Sequence, residues 1–200
     1  MRRRTLTIIV LALALFGAAI AIVASLLHDG LSARARPNRF EITVARNVRH
    51  FAIPASAQAT PNPVLASAED LRDARIHFAD HCAICHGNDG GGKTTMGNGL
   101  FPKPPDLRLP ETQNLSDGEL FWIIENGVRF TGMPAFSNGG EHGGSQDSWK
   151  LVHFIRHLPH LTAAERIEME RYNPKGPEDR AEEQRENDFL NGAAPQKKPE

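Results

Sequence analysis

The sequence predicts an all-α chain: one long apolar helix, then a domain of three to four short helices. Three observations lead there. Leu6 to Leu27 (LTIIVLALALFGAAIAIVASLL) contains no charged residue. Three later stretches repeat apolar side chains at the helical period. Long Gly- and Pro-rich loops separate those stretches, and no βαβ pattern occurs among them.

The first element spans residues 6–27. Twenty-two residues at about 1.5 Å rise make roughly 33 Å, enough to cross a bilayer core. Its apolar residues occupy every face, which argues against a buried core helix. The basic flank of residues 1–5 (MRRRT) stays cytoplasmic under the positive-inside rule, although Arg34, Arg36, Arg39, Arg46 and Arg49 make the far flank basic too. A cleavable signal peptide with Ala19-Ile20-Ala21 as its processing site is the competing reading, and the length of the apolar run favours an uncleaved anchor. Either way the remainder is exported into an oxidising compartment.

Residues 28–68, with Pro37, Pro54, Pro61 and Pro63, read as an extended tether lying on the domain through Phe40, Val44, Phe51 and Ile53. The domain itself is expected over 69–160. AEDLRDARIHFADH carries Leu71, Ala74, Arg75 and Phe78 at i, i+3, i+4, i+7 and leads into Cys82. SDGELFWIIENG has Ser116 and Glu119 in capping-box spacing and Asn126-Gly127 as its stop. SWKLVHFIRHLP turns Leu151, Phe154, Ile155 and Leu158 inward and ends at Pro159. Residues 161–172 read as a short charged helix capped at Thr162, and 173–200 as a polar, disordered tail. Such short helices and long loops make a thin core, so something other than side chains fills the middle.

A net charge of −1 gives no bulk electrostatic case for nucleic acid. Both cysteines of the chain fall in HCAICHG, residues 81–87. Three chemistries use such a pair: a disulfide, a redox dithiol or zinc half-site, and covalent attachment of haem. C-x-x-C-H is the attachment pattern for c-type haem, with one helical turn between Cys82 and Cys85 and His86 adjacent to ligate iron. A dithiol oxidoreductase has no use for that histidine, and a zinc site needs ligands that no second C-x-x-C supplies. A sixth iron ligand is wanted. Met1 lies outside the domain, Met169 beyond its closing helix, and Met96 too soon after His86 to reach the opposite ring face. Met133, in Thr131-Gly132-Met133-Pro134, is separated from His86 by a whole helix and sits in a loop with glycine for close approach and proline for stiffness.

CAICHG, PPDL, TGMPAF and WKLVHFIRHL, in that order, resemble class I c-type cytochromes over residues 69–160, about half the chain. The resemblance implies a cytochrome c-like fold around one covalent haem c, with first and last helices crossing: Ala74 and Phe78 against Leu151 and Phe154. It also implies iron ligation by His86 and Met133. The carbonyl of Pro104 or Pro105, with Pro105 preferred, would accept the His86 Nδ1–H. Trp149 looks like the family's aromatic at the start of the last helix, and Trp122, Ile123 and Ile124 like pocket wall.

The function implied is one-electron transfer between redox proteins, without nucleic acid or a small-molecule substrate. The carrier would be a single-pass protein of the bacterial inner membrane with its haem domain in the periplasm. A haem subunit of a dehydrogenase, oxidase or reductase complex is the alternative, and a haem sensor or metal-handling protein a third. Gly90 to Thr94 mimics a phosphate loop but lacks the first glycine, the strand and the helix, so it reads as a flexible loop at the haem edge. His77/His81 and His153/His157 stand at i, i+4 with His160 nearby, and are read as solvated, as is His142.

Overall fold

The computed structural model describes residues 2–28, 32–137 and 146–191, and no strand occurs among them. Helix α1 (Arg2–His28) contains a 23-residue stretch, Arg3–Ser25, long and apolar enough to cross a membrane. Its described side chains are exposed rather than packed on the domain.

The segment expected to be an extended tether is partly helical. Helix α2 (Arg39–Ala52) opens with a reciprocal capping box: the Glu41 amide donates to Asn38 Oδ1 at 2.9 Å, and the Asn38 amide to Glu41 Oε2 at 2.7 Å. A single-turn helix α3 (Ala55–Gln58) follows. Residues 60–67 then run over the domain, where Asn62 Nδ2 donates to the Trp149 carbonyl at 3.0 Å.

The domain core is a crossing of α4 (Ala68–His77) and α9 (Gln146–His157). Phe78, which directly follows α4, meets Phe154 with ring centroids 5.1 Å apart, and both are buried. Ala74, Leu151 and Val152 fill the rest of that crossing. From α4 the chain passes without a break through a π turn, Phe78–Cys82, into α5 (Ala83–His86). Two more single-turn helices, α6 (Thr95–Asn98) and α7 (Pro110–Gln113), punctuate the long connection to α8 (Asp117–Asn126). Trp149 stacks on Phe121 at 3.9 Å and 7°, which joins α9 to α8.

Helix α8 starts where its sequence signals it: Ser116 Oγ receives the Glu119 amide at 3.1 Å, and Glu119 Oε2 receives the Ser116 amide at 2.7 Å. The same turn anchors α3, because Ser116 Oγ–H donates to the Gln58 carbonyl at 2.7 Å. Gly118 lets the two backbones touch: a Cβ there would lie 1.9 Å from the Ala57 carbonyl oxygen. Gly118→Ala gains up to ~1 kcal/mol of helix propensity but loses about 1–3 kcal/mol to overpacking against backbone that cannot step aside. The expected outcome is a lower melting temperature with faster proteolysis within residues 53–67, read by thermal melting and limited digestion. Unchanged protection of that segment would contradict the contact.

The polar face of α9 is not solvated as its pattern suggests. His153 Nε2 lies 2.7 Å from the Val64 carbonyl and His157 Nε2 lies 3.0 Å from Glu165 Oε1. Arg156 donates to Asp117 and to the Gln113 and Leu115 carbonyls. These groups satisfy chain ends that would otherwise be buried without partners. Helix α10 (Ala163–Glu170) docks here too: Met169 is fully buried, and the buried Arg75 guanidinium bonds Glu165 at 2.9 Å and Glu168 at 2.7 Å. Met169 therefore belongs to the core. Helix α11 (Pro177–Leu190) occupies much of the stretch expected to be disordered. Its Glu, Arg, Gln and Ala content favours helix, and its described side chains bury no apolar surface.

Candidate functional site

Cys82 and Cys85 are delivered by the π turn and α5. In the π turn the Ala83 amide bonds back five residues to the Phe78 carbonyl, so the helix widens immediately before the first cysteine. Widened turns of this kind recur at functional sites. Both cysteines are free thiols and half-buried. Burial, reinforced by Cys85, pushes the Cys82 thiol up to about 12, and burial also raises Cys85. Reactive dithiols and zinc thiolates need the opposite shift. Among the described residues no three His, Cys, Asp or Glu side chains are grouped to hold a metal ion.

His86 ends α5. Burial lowers its imidazole pKa, and the Pro105 carbonyl raises it by less, so the ring is held neutral, the form that ligates a metal. Pro105 lies close enough for that influence, but its geometry falls short of a hydrogen bond, and His86 Nδ1 is buried without a partner. A buried ring nitrogen left unpaired costs roughly 1–3 kcal/mol.

Beside α5 lies an open, largely apolar groove of about 560 Å³ lined by Ala83, Ile84, Thr94, Met96, Gly99 and Leu100, with none of Cys82, Cys85, His86 or Met133 in its lining. Ile84 and Met96 each leave about half of their surface uncovered (48% and 50%). Apolar side chains bared around a hollow in a thin core mark a site that an apolar group covers. The paired thiols, the adjacent histidine and the apolar surface beside them fit an iron porphyrin held by thioethers. They do not fit a hydrated ion.

The loop carrying Met133 hangs from the far end of α8. The Val128 amide donates to the Met133 carbonyl at 3.1 Å, the Phe136 amide to the Ile124 carbonyl at 3.1 Å, and the Met133 amide to Thr131 Oγ1 at 3.1 Å. Met133 is half-buried. Gly127 makes this closure possible. Its φ of 65° and ψ of −169° lie in a region essentially reserved for glycine, and a Cβ would sit 2.6–2.7 Å from backbone atoms of Met133, Pro134 and Ala135. Trp122 and Ile123 are half-buried and Ile124 is buried in the core. His142 lies outside the described residues.

The stretch Gly90 to Thr94, read as flexible, is tied down. The Gly92 amide bonds the His86 carbonyl at 2.7 Å, and the Leu107 amide bonds the Gly90 carbonyl at 2.8 Å. Thr94 Oγ1 donates to the Ile84 carbonyl at 2.7 Å. Across the two loops Arg108 forks between Asp89 Oδ2 at 2.9 Å and both Asp106 oxygens at 2.7–2.8 Å. Those bonds hold the Asp106 carboxyl below the usual carboxylate range and raise the guanidinium. This clamp fixes the PPDL segment, and so the Pro105 carbonyl, relative to His86. Sequence reading missed it. Its signal was the alternation Asp106-Leu107-Arg108 downstream of an aspartate in a glycine loop.

Among the described residues this domain has no strand, crosses α4 on α9 and carries the C-x-x-C-H turn just past the end of the first of those helices. Residues 69–155, less than half of the chain, match the family described as Cytochrome C oxidase, cbb3-type, subunit III, and this stretch is a c-type cytochrome domain. The cofactor of such a domain is covalently bound haem c with its iron. No curated protein matches the sequence.

Proposed function

We propose that this chain is a membrane-anchored monohaem cytochrome that carries single electrons between redox proteins at the periplasmic face of a bacterial inner membrane. The observation that carries the reading is the C-x-x-C-H turn, with half-buried His86 next to the paired thiols, inside the stretch that matches a c-type cytochrome domain. Cys82 and Cys85 would hold the porphyrin through thioethers. His86 and Met133 ligate the iron, and the Pro105 carbonyl orients His86. When bound, haem supplies a one-electron ferric–ferrous couple. Leu100, which packs against Gly132 of the Met133 loop, would help to exclude water, which favours the less charged ferrous site, and a thioether ligand would raise the potential further. Held by His86 and Met133, the iron would have no open position for a small-molecule substrate. Residues 6–27 anchor the chain with Arg2, Arg3 and Arg4 inside, and confinement raises the effective concentration of the carrier at its partners.

The experiment is a potentiometric titration of the full chain, matured with haem, followed by exposure of the ferrous form to carbon monoxide. A single one-electron wave and slow or absent binding are expected. Rapid binding would indicate an open sixth position and a sensor or catalyst instead.

Gly127→Ala probes the same loop without touching a ligand. An alanine in that conformation costs about 1–3 kcal/mol, which displaces Met133. The weak far-red band of sulfur ligation is expected to fade and carbon monoxide binding to accelerate; retention of both properties would detach Gly127 from the ligand loop.

The match to an oxidase subunit favours a second reading, a haem subunit of a terminal oxidase complex. Helices α10 and α11 would then be docking elements. Deleting residues 173–200 separates the two: a free carrier keeps its turnover, whereas a subunit loses its complex.

A further inference from the structure

Helix α2 is amphipathic in an inverted sense. Its polar side faces the cytochrome domain: Arg46 pairs with Glu111 at 3.7 Å, and His50 Nδ1 lies 2.9 Å from Glu119 Oε1. Arg49 is pressed into the same side beside them, with Nε buried and unpaired. The opposite side presents Phe40, Val44, Val48 and Phe51, spaced four, four and three residues apart in one stripe. They are 76%, 43%, 60% and 91% exposed, and no residue of α2 is buried. A helix that spends its charges on its own domain and turns two phenylalanines and two valines outward has a second apolar surface to meet.

We propose that this surface is the lipid bilayer: α2 lies along the membrane interface with Phe40, Val44, Val48 and Phe51 at the acyl boundary. The inference rests on the anchor reading of α1. Ten residues separate His28 from Arg39, a reach of no more than about 35 Å even when fully extended. A helix tethered that closely to a membrane span has the bilayer surface within reach at all times. Arg34, Arg36 and Arg39 are exposed at the start of the stripe, where they complement anionic phospholipid headgroups, the arrangement of interfacial helices.

Docking has a consequence for the haem domain. Helices α2 and α3 grip the first turn of α8 through Glu119, Ser116 and Gly118, whereas the Met133 loop hangs from Ile124 and Gly127. About nine residues of helix, roughly 13 Å, separate those ends. The membrane contact therefore fixes the attitude of the domain from the end of α8 remote from the ligand loop.

Site-specific photo-crosslinking on the full-length holoprotein tests this. A benzoylphenylalanine is placed at Val48, at Leu13 in α1, or at Ile167 on the exposed side of α10. Irradiation is carried out in native membranes and in vesicles of phosphatidylethanolamine and phosphatidylglycerol. Phospholipid adducts at Val48 and Leu13, many-fold above Ile167, are the expected result. Lipid adducts at Leu13 with none at Val48, or a protein adduct at Val48, would overturn the docking while leaving the anchor in place. No lipid adduct at Leu13 would overturn the anchor itself. Phe51 serves as a second position on the stripe should Val48 disturb the fold.

Discussion

Replacing both thiols, Cys82→Ser with Cys85→Ser, is expected to abolish covalent haem and with it the stable domain. The two sulfurs stand at the exit of a widened helical turn whose other side is the main crossing of the fold, Phe78 against Phe154. The porphyrin would supply apolar contacts that the short helices and long loops of this domain leave unmade. A core this thin has little reserve against a stability of about 5–15 kcal/mol for an ordinary domain. Denaturing electrophoresis stained for haem, together with protein yield after matched expression, reads the result. A well-folded double variant obtained in wild-type yield would show that the fold does not depend on the haem. The single variants Cys82→Ser and Cys85→Ser are expected to retain one thioether and intermediate yields.

The second large effect belongs to Met133. Met133→Ala is expected to lower the reduction potential on the order of 0.1–0.3 V, within the roughly 0.8 V that axial ligands span, and to admit carbon monoxide to the ferrous iron. The loop itself should persist, because its hydrogen bonds run through the backbone of Val128, Thr131, Met133 and Phe136 rather than the methionine side chain. A redox titration and a carbon monoxide progress curve measure the two consequences. An unchanged potential would remove Met133 from the metal.

Much of this architecture is legible before any coordinates. Helices α8 and α9 announce themselves because both their apolar periodicity and their end signals agree; two independent stripes supply Phe78 and Phe154, and the resemblance to c-type cytochromes implies their crossing. What escapes has physical reasons. The π turn before Cys82 has no sequence signature, since widening by one residue changes hydrogen bonding and not composition. Helix α2 hides because the prolines around it speak for an extended chain and its apolar stripe, Phe40 to Phe51, does not belong to the core. Its capping pair, Asn38 and Glu41, was the available clue. His153, Arg156 and His157 look like a solvated face because their partners, Val64, Asp117 and Glu165, are distant in sequence. Met169 is buried by α10 folding back, which no local pattern reveals.

The candidate site divides along the same line. The cysteines, His86 and Met133 stand out as rare residue types in short motifs. Their support is tertiary: the Arg108 clamp between Asp89 and Asp106, and the Gly127 turn that lets Met133 close on α8. The Pro105 carbonyl reaches the neighbourhood of His86 and influences its imidazole.

The most direct measurement is an alkaline pyridine spectrum of the denatured full chain after expression with c-type haem maturation, paired with the optical spectrum of the native protein. One covalently held c-type haem per chain, low-spin and carrying the weak band of sulfur ligation, is the result this account requires. A chain without covalent haem, despite competent maturation, would contradict it and return HCAICHG to thiol chemistry.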